Sequence, residues 1–97
     1  MIQAVFRPAA AADIEDAYNW YESQRPGLGD EFMVAINVAV ESISENPRGY
    51  PVVHRQTRRL LLRRFPYGVY FRLLDNHPII IACMHGSRDP IQWQSRQ

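Results

Sequence analysis

The stretch "RRLLLRRFPYGVYFRLL", residues 58–74, holds five arginines and no acidic residue. Its Leu, Phe, Tyr and Val fall at the density of β-structure around an interruption at Pro66–Gly68. Two strands, 58–65 and 67–74, are predicted to pair across Phe65–Pro66–Tyr67–Gly68. In the second strand Val69, Phe71 and Leu73 point one way and Tyr70 and Arg72 the other, because successive side chains alternate. The first strand lacks clean alternation, so which of Arg63 and Arg64 faces out stays open. Guanidinium groups this dense, with no carboxylate among them, call for a partner that brings the negative charge.

Before this strand pair the periodicity is helical. "DIEDAYNWYESQ" (13–24) places Ile14, Ala17, Tyr18 and Tyr21 on one stripe. Asp13, Glu15 and Asp16 give its first turns the sign that favours a helix N-terminus. "RPGLG" (25–29) breaks this helix. A second starts near Asp30 and carries Phe32, Ala35, Ile36, Ala39, Val40 and Ile43 until "NPRGYP" (46–51) stops it. A joint this short predicts an antiparallel hairpin whose apolar stripes cover one face of a sheet. At the front, residues 2–7, "IQAVFR", read as a short strand ended by Pro8. At the back, "DNHP" (75–78) turns the chain into "IIIACM" (79–84), apolar on both sides as an inner strand would be. The expected order is β-α-α-β-β-β. This is an α+β fold, an antiparallel-rich small sheet with a helical hairpin on one face, forming a single domain over residues 1–97. Some of Arg59, Arg63, Arg64 and Arg72 should then project from the uncovered face or its rim.

Composition bounds the function. Residues 1–50 carry three Arg against eight Asp or Glu, a net of −5, and residues 51–97 carry eight Arg against Asp75 and Asp89, a net of +6. All eleven basic residues are Arg. GC-rich codon usage explains the residue type but not its clustering. One cysteine, Cys83, leaves no internal disulfide and no cysteine-based zinc site. The N-terminus "MIQAVFRPAA" is too short and too weakly apolar for a signal peptide, and no apolar run reaches a membrane span. The expectation is a soluble, cytoplasmic domain with no membrane partner.

Few residues can carry chemistry. Arg binds phosphate and carboxylate bidentately and keeps its charge. An Arg-rich face beside Tyr67, Tyr70 and Phe71 therefore suits RNA or an acidic protein segment; the plainer reading is a solvated edge guarded by charge. His85, at the end of the last strand with Arg88 and Asp89 beyond it, has the position of a general acid or base for metal-free RNA cleavage. The plainer reading makes it a strand-end His beside a local salt bridge. His54 and His77 fall in loops, and three scattered His make no metal site. Cys83 reads as buried and inert, Trp20 and Trp93 as packing anchors. Glu22, Asp30 and Glu31 need no role beyond solubility. No cofactor is expected.

Taken together, "ADIEDAYNWYESQRPGLGDEF" (12–32), "NPRGYP" (46–51), "RRLLLRRFPYGVYFRL" (58–73) and "HGSRDPIQW" (85–93) resemble the RelE/ParE toxin superfamily of bacterial type II toxin–antitoxin systems, and its ParE-like (plasmid stabilisation) branch in particular. The resemblance implies a toxin held inactive by a cognate antitoxin with an acidic C-terminal segment, and DNA gyrase as its target. The residues expected to meet the antitoxin or target are Arg59, Arg63, Arg64, Tyr70, Arg72, Arg88 and Trp93. The RelE branch implies the alternative, a ribosome-dependent endoribonuclease acting on messenger RNA. In that case Arg63, Arg72 and Arg88 would clamp phosphate and His85 would move a proton. The sequence departs from the nuclease pattern at two places. Gly68 stands where RelE-like members carry an early Arg in the third strand, and Trp93 where a C-terminal Tyr would serve.

Overall fold

A computed structural model describes residues 4–96. The elements are strand β1 (Val5–Phe6), helix α1 (Pro8–Gln24), helix α2 (Leu28–Glu45), a single 3-10 turn (Pro47–Gly49), strands β2 (Val52–His54), β3 (Thr57–Leu61), β4 (Tyr67–Leu74) and β5 (His77–His85), and the short helix α3 (Ile91–Gln94). The sheet order is β1-β5-β4-β3-β2. β1 pairs parallel with β5, and the other neighbours are antiparallel. The hairpin of α1 and α2 covers one face, as the patterning predicts.

Several boundaries differ from the sequence reading. Of the expected first strand, Ile2 and Gln3 lie outside the described residues, and Val5–Phe6 form the strand. Pro8 ends that strand and also opens α1, five residues earlier than expected. Proline suits the first helical position, where its missing N–H has no partner in any case, and the four alanines that follow are the strongest helix formers. β3 stops at Leu61, so Arg63 and Arg64 fall in a loop rather than a strand. Residues 52–54 add a three-residue edge strand, too short to show a period. His54 and His77 end and begin strands, where loops were expected. The turn between β4 and β5 holds Asp75 and Asn76 at φ of 51° and 67°, the left-handed pair that a tight hairpin requires.

The main core lies between the hairpin and the sheet. Ile14, Ala17 and Tyr21 of α1 and Phe32, Ile36, Ala39 and Ile43 of α2 pack on Val69, Phe71, Ile80 and Cys83. Phe65, from the loop after β3, enters the same core. Its ring centroid lies 4.9 Å from that of Tyr21 and 5.3 Å from that of Phe32, an edge-to-face arrangement that adds to simple burial. Strict alternation would not let Ile80 and Cys83 share this side. A bulge resolves it: Tyr70 pairs with Ala82 and Phe71 with Ile80, leaving Ile81 unmatched. The extra residue resets the parity of β5, and Ile81 and Ala82 both join a second core on the far face.

The tip of the hairpin is pinned by its own side chains. Glu22 accepts hydrogen bonds from the backbone N–H groups of Gly27 and Gly29, each at 2.9 Å. These are donors that the start of α2 leaves without helical partners. Glu22 is therefore a cap, a role beyond the solubility expected of it. Gly29 permits the approach, since a Cβ there would stand 2.8 Å from the Tyr18 carbonyl oxygen and 2.9 Å from Glu22 Oε1. Tyr18 closes the other side by donating its hydroxyl to Asp30 Oδ1 at 3.2 Å.

Replacing Glu22 with Ala is expected to lower stability by about 1–2 kcal/mol, the loss typical of a removed N-terminal cap. Urea unfolding monitored by circular dichroism tests this. A lower midpoint at unchanged slope supports it, and an unchanged midpoint refutes the capping role.

Candidate functional site

Arginine placement defines the surface. Arg58 does not face solvent: its Nη1 donates to the Tyr50 carbonyl at 2.7 Å, which ties the turn after α2 to β3. Arg59 lies on the opposite face, directly across from Tyr70. Its half-buried side chain passes over Gly68, whose absent Cβ would sit 3.3 Å from Arg59 Cδ and 3.2 Å from the Tyr70 ring. The departure from an early Arg at position 68 thus has a packing cause. The space is already filled by Arg59 and Tyr70.

The face expected to be uncovered is covered at its centre. Trp93, carried by α3, stacks on Tyr70 with ring centroids 4.3 Å apart and planes inclined by 21°. Tyr70 is 4% and Trp93 5% exposed, and Ile79, Ile81, Ala82 and Met84 complete this second core. Trp93 is the packing anchor that the sequence suggested. It and Tyr70, both expected as contact residues, are buried in the second core. Trp20 reverses the other way, standing 57% exposed on α1.

Arg63 and Arg64 resolve the open question of orientation: neither projects from the far face of the sheet. Both line a groove of about 600 Å3 between α2 and β3, whose walls are Ala35, Val38 and Ala39 on the helix and Leu60, Leu61 and Leu62 on the strand side. β2 pairs with β3 only at Thr57 and Arg58, so the strand edge at Leu60–Leu61 has no strand beside it. Val38 and Leu61 are exposed. The groove therefore combines apolar walls, an unpaired strand edge and a cationic rim. Arg64 is tied at that rim by an ion pair with Glu31, which also accepts a hydrogen bond from Arg25 at 2.9 Å. These bonds, the one from Arg64 first, hold the Glu31 carboxyl below its ordinary value of 4.5. Glu31 thus positions the loop that borders the groove.

The residues expected to cut RNA are not brought together. Tyr67 pairs with His85 and Arg72 with Ile79, which puts Arg72 and His85 about 17 Å apart along the sheet at roughly 3.4 Å per residue. They also face opposite ways. His85 lies on the hairpin side, its ring 5.4 Å from that of Tyr67, whereas Arg72 lies on the α3 side. His85 Nδ1 is engaged by the Ser87 backbone N–H at 3.0 Å and lies 2.8 Å from the Ser87 hydroxyl. Arg88 donates to Gln92 Oε1 at 3.0 Å, and its expected salt bridge with Asp89 is absent among the described residues. Arg88 and His85 line a cleft with Trp20, Tyr67 and Asp16, away from both Arg63 and Arg72. Cys83 is buried, as expected, and that burial pushes its thiol up to about 12. Among the described residues no group of His, Cys, Asp and Glu could hold a metal ion. No helix among them is long and apolar enough to cross a membrane.

A family model described as "ParE toxin of type II toxin-antitoxin system, parDE" matches residues 4–90. The chain belongs to the ParE toxin family. "Toxin ParE2" of Mycobacterium tuberculosis, in strain CDC 1551 / Oshkosh and in strain H37Rv, is 25% identical over 79 residues, covering 80% of this chain and 75% of the relative. A structure titled "Chromosomal ParDE TA system from P. aeruginosa" aligns with a TM-score of 0.78 at 21% identity, covering 88% of this chain and 96% of that one. That last likeness is one of fold. Within the ParE family assignment, sequence reasoning missed the parts held by distant partners. Asp13 and Arg96, 83 positions apart, form an ion pair at 2.5 Å. No local pattern announces it.

The Glu31 bridge predicts a pH dependence. A carboxyl with a lowered folded value stabilises the fold above its ordinary pKa, and that stability is lost as pH falls through the lowered value. Urea midpoints taken between neutral pH and pH 3 should fall further for the native chain than for Glu31→Gln. Parallel falls would show that the bridge does not contribute.

Proposed function

We propose that this chain is the toxin of a type II toxin–antitoxin pair, acting on DNA gyrase by binding rather than by catalysis. An antitoxin segment of acidic and apolar character would be seated in the groove between α2 and β3. The observation that carries this reading is the groove itself. An extended segment can extend the sheet along the bare edge at Leu60–Leu61, since added main-chain hydrogen bonds give affinity and alternate side chains give specificity. Its apolar side chains would meet Val38, Ala39 and Leu62, and its carboxylates Arg63. Ordering a flexible segment costs conformational entropy, and apolar walls together with fixed cations offset that cost. Membership of the ParE family supports a toxin role, and the P. aeruginosa structure, titled as a ParDE system, supports an antitoxin partner. The dispersal of Arg63, Arg72, His85 and Arg88 supports a binding mode of toxicity over the endoribonuclease alternative.

Controlled expression in a gyrase-competent host tests the target. The expected result is induction of the DNA-damage response while protein synthesis initially continues. Immediate translation arrest with cleaved messenger RNA would overturn the reading. His85→Ala should leave toxicity unchanged; a drop by the two to four orders that a lost acid or base group produces would favour the nuclease.

Titration with the cognate antitoxin tests the groove. Val38→Asp is exposed and should keep the fold, yet weaken binding by about tenfold or more through a buried, unpaired charge. Arg63→Ala should weaken binding more at low than at high salt, where surface charge is screened. Unchanged affinity in both variants would place the antitoxin elsewhere.

A further inference from the structure

On the α3 side of the sheet lies a cavity of about 400 Å3 that shares no lining residue with the groove. His54 reaches it from the end of β2, Arg55 from the β2–β3 turn, Thr57 from β3, Arg72 from β4, and Gln94 and Ser95 from the C-terminal segment. Arg96 closes one side, with its guanidinium turned away to Asp13. Among the described residues no carboxylate lines the cavity.

The charge on Arg72 is poorly compensated. Its Nη2 donates to Gln56 Oε1 at 3.0 Å, and its Nε is buried without a hydrogen-bond partner. Among the described residues it has no acidic partner, and neither does Arg55, which sits at a φ of 52° on the turn. Arg55 and Arg72 both line the cavity, and an anion between their like charges would be favoured there. Hydroxyls of Thr57 and Ser95, the Gln94 amide and the His54 ring supply further donors around the same space.

We propose that this cavity binds the phosphate group of a small phosphate monoester. A carboxylate presents two oxygens in one plane. A terminal phosphate presents three, and donors here arrive from three separate segments of chain. Arginine engages such oxygens bidentately. The volume falls within the range of small-molecule sites and leaves room beyond the phosphate for a body of nucleoside size. The inference stands independently of the toxin reading, because it uses another face and other residues.

The test is calorimetric titration of the purified full chain at matched ionic strength, with inorganic phosphate, 5′-AMP and acetate as probes. Saturable binding of both phosphate compounds, with none for acetate, is expected. Arg55→Gln and Arg72→Gln should each weaken phosphate binding by about tenfold or more, as loss of a charged hydrogen-bond donor does. Arg63→Gln, outside the cavity, should leave it within about twofold, as expected of a distant, independent site. Arg72 is half-buried and its replacement risks the fold, whereas Arg55 is an exposed turn residue, so the Arg55 result decides. The proposal fails if phosphate does not saturate, if acetate binds equally well, or if Arg55→Gln binds phosphate like the native chain. It also fails if an oligonucleotide lacking a terminal phosphate competes as well as 5′-AMP, which would make this a surface for nucleic-acid backbone.

Discussion

The structure depends on shielding one strand. β5 is apolar along nearly its whole length, and water must be kept from both its faces and both its edges. The hairpin covers one face, Trp93 and Tyr70 cover part of the other, and β4 covers one edge. On the remaining edge β1 reaches only Ile79 and Ile80. Beyond that point the backbone would be left with unpaired polar groups, which are costly to bury. Side chains take over there. Asp13 Oδ2 accepts the Cys83 N–H at 3.0 Å, and Arg96 Nη1 donates to the Ile81 carbonyl at 3.2 Å. Their mutual ion pair holds both in place, at side-chain exposures of 16% and 27%. A carboxylate and a guanidinium thus finish what a two-residue strand begins.

That arrangement also sorts the arginines. Eight lie in residues 51–97, yet they do not form one cationic face. Arg58 and Arg96 donate to backbone carbonyls, Arg59 is laid across Gly68, Arg64 is held by Glu31 and Arg88 by Gln92. Arg63, Arg55 and Arg72 remain without an acidic partner among the described residues, and they lie at two separate places. A charge count over this half of the sequence overstates the field that any partner meets, because Arg64 and Arg96 are paired with Glu31 and Asp13 of the acidic half.

Much of this was legible in the sequence. The two helical stripes, the short joint between them and the apolar run of β5 are properties of local order, and local order sets the period of apolar residues. The hairpin on one sheet face follows from them. The termination of β3 at Leu61 was not legible, because Leu60–Leu61–Leu62 reads equally well as strand or as the entry to a loop, and Phe65 is apolar for a core contact rather than for strand pairing. The bulge at Ile81 was hidden for a related reason. A strand that is apolar on both faces shows no alternation that a skipped residue could disturb. The burial of Tyr70 under Trp93 was not legible because α3 is only four residues long, too short to signal that it would cover the sheet. Glu22 left a trace in its spacing to Gly27 and Gly29, whereas Asp13 and Arg96 left none.

The pinned hairpin tip has a consequence for the order in which the chain can organise. Its contacts join residues five, seven and twelve positions apart, whereas the clasp on β5 joins residues 83 apart. Loop-closure entropy grows with the logarithm of the separation, so closing the clasp from an open chain costs about 2 kcal/mol more than closing the seven-residue contact. Short loops also close on the fastest timescale available to a polypeptide. The hairpin can therefore take shape on its own sequence, before the sheet beneath it exists. In that order of events helix α2 would be a wall already in place when β3 comes to rest against it.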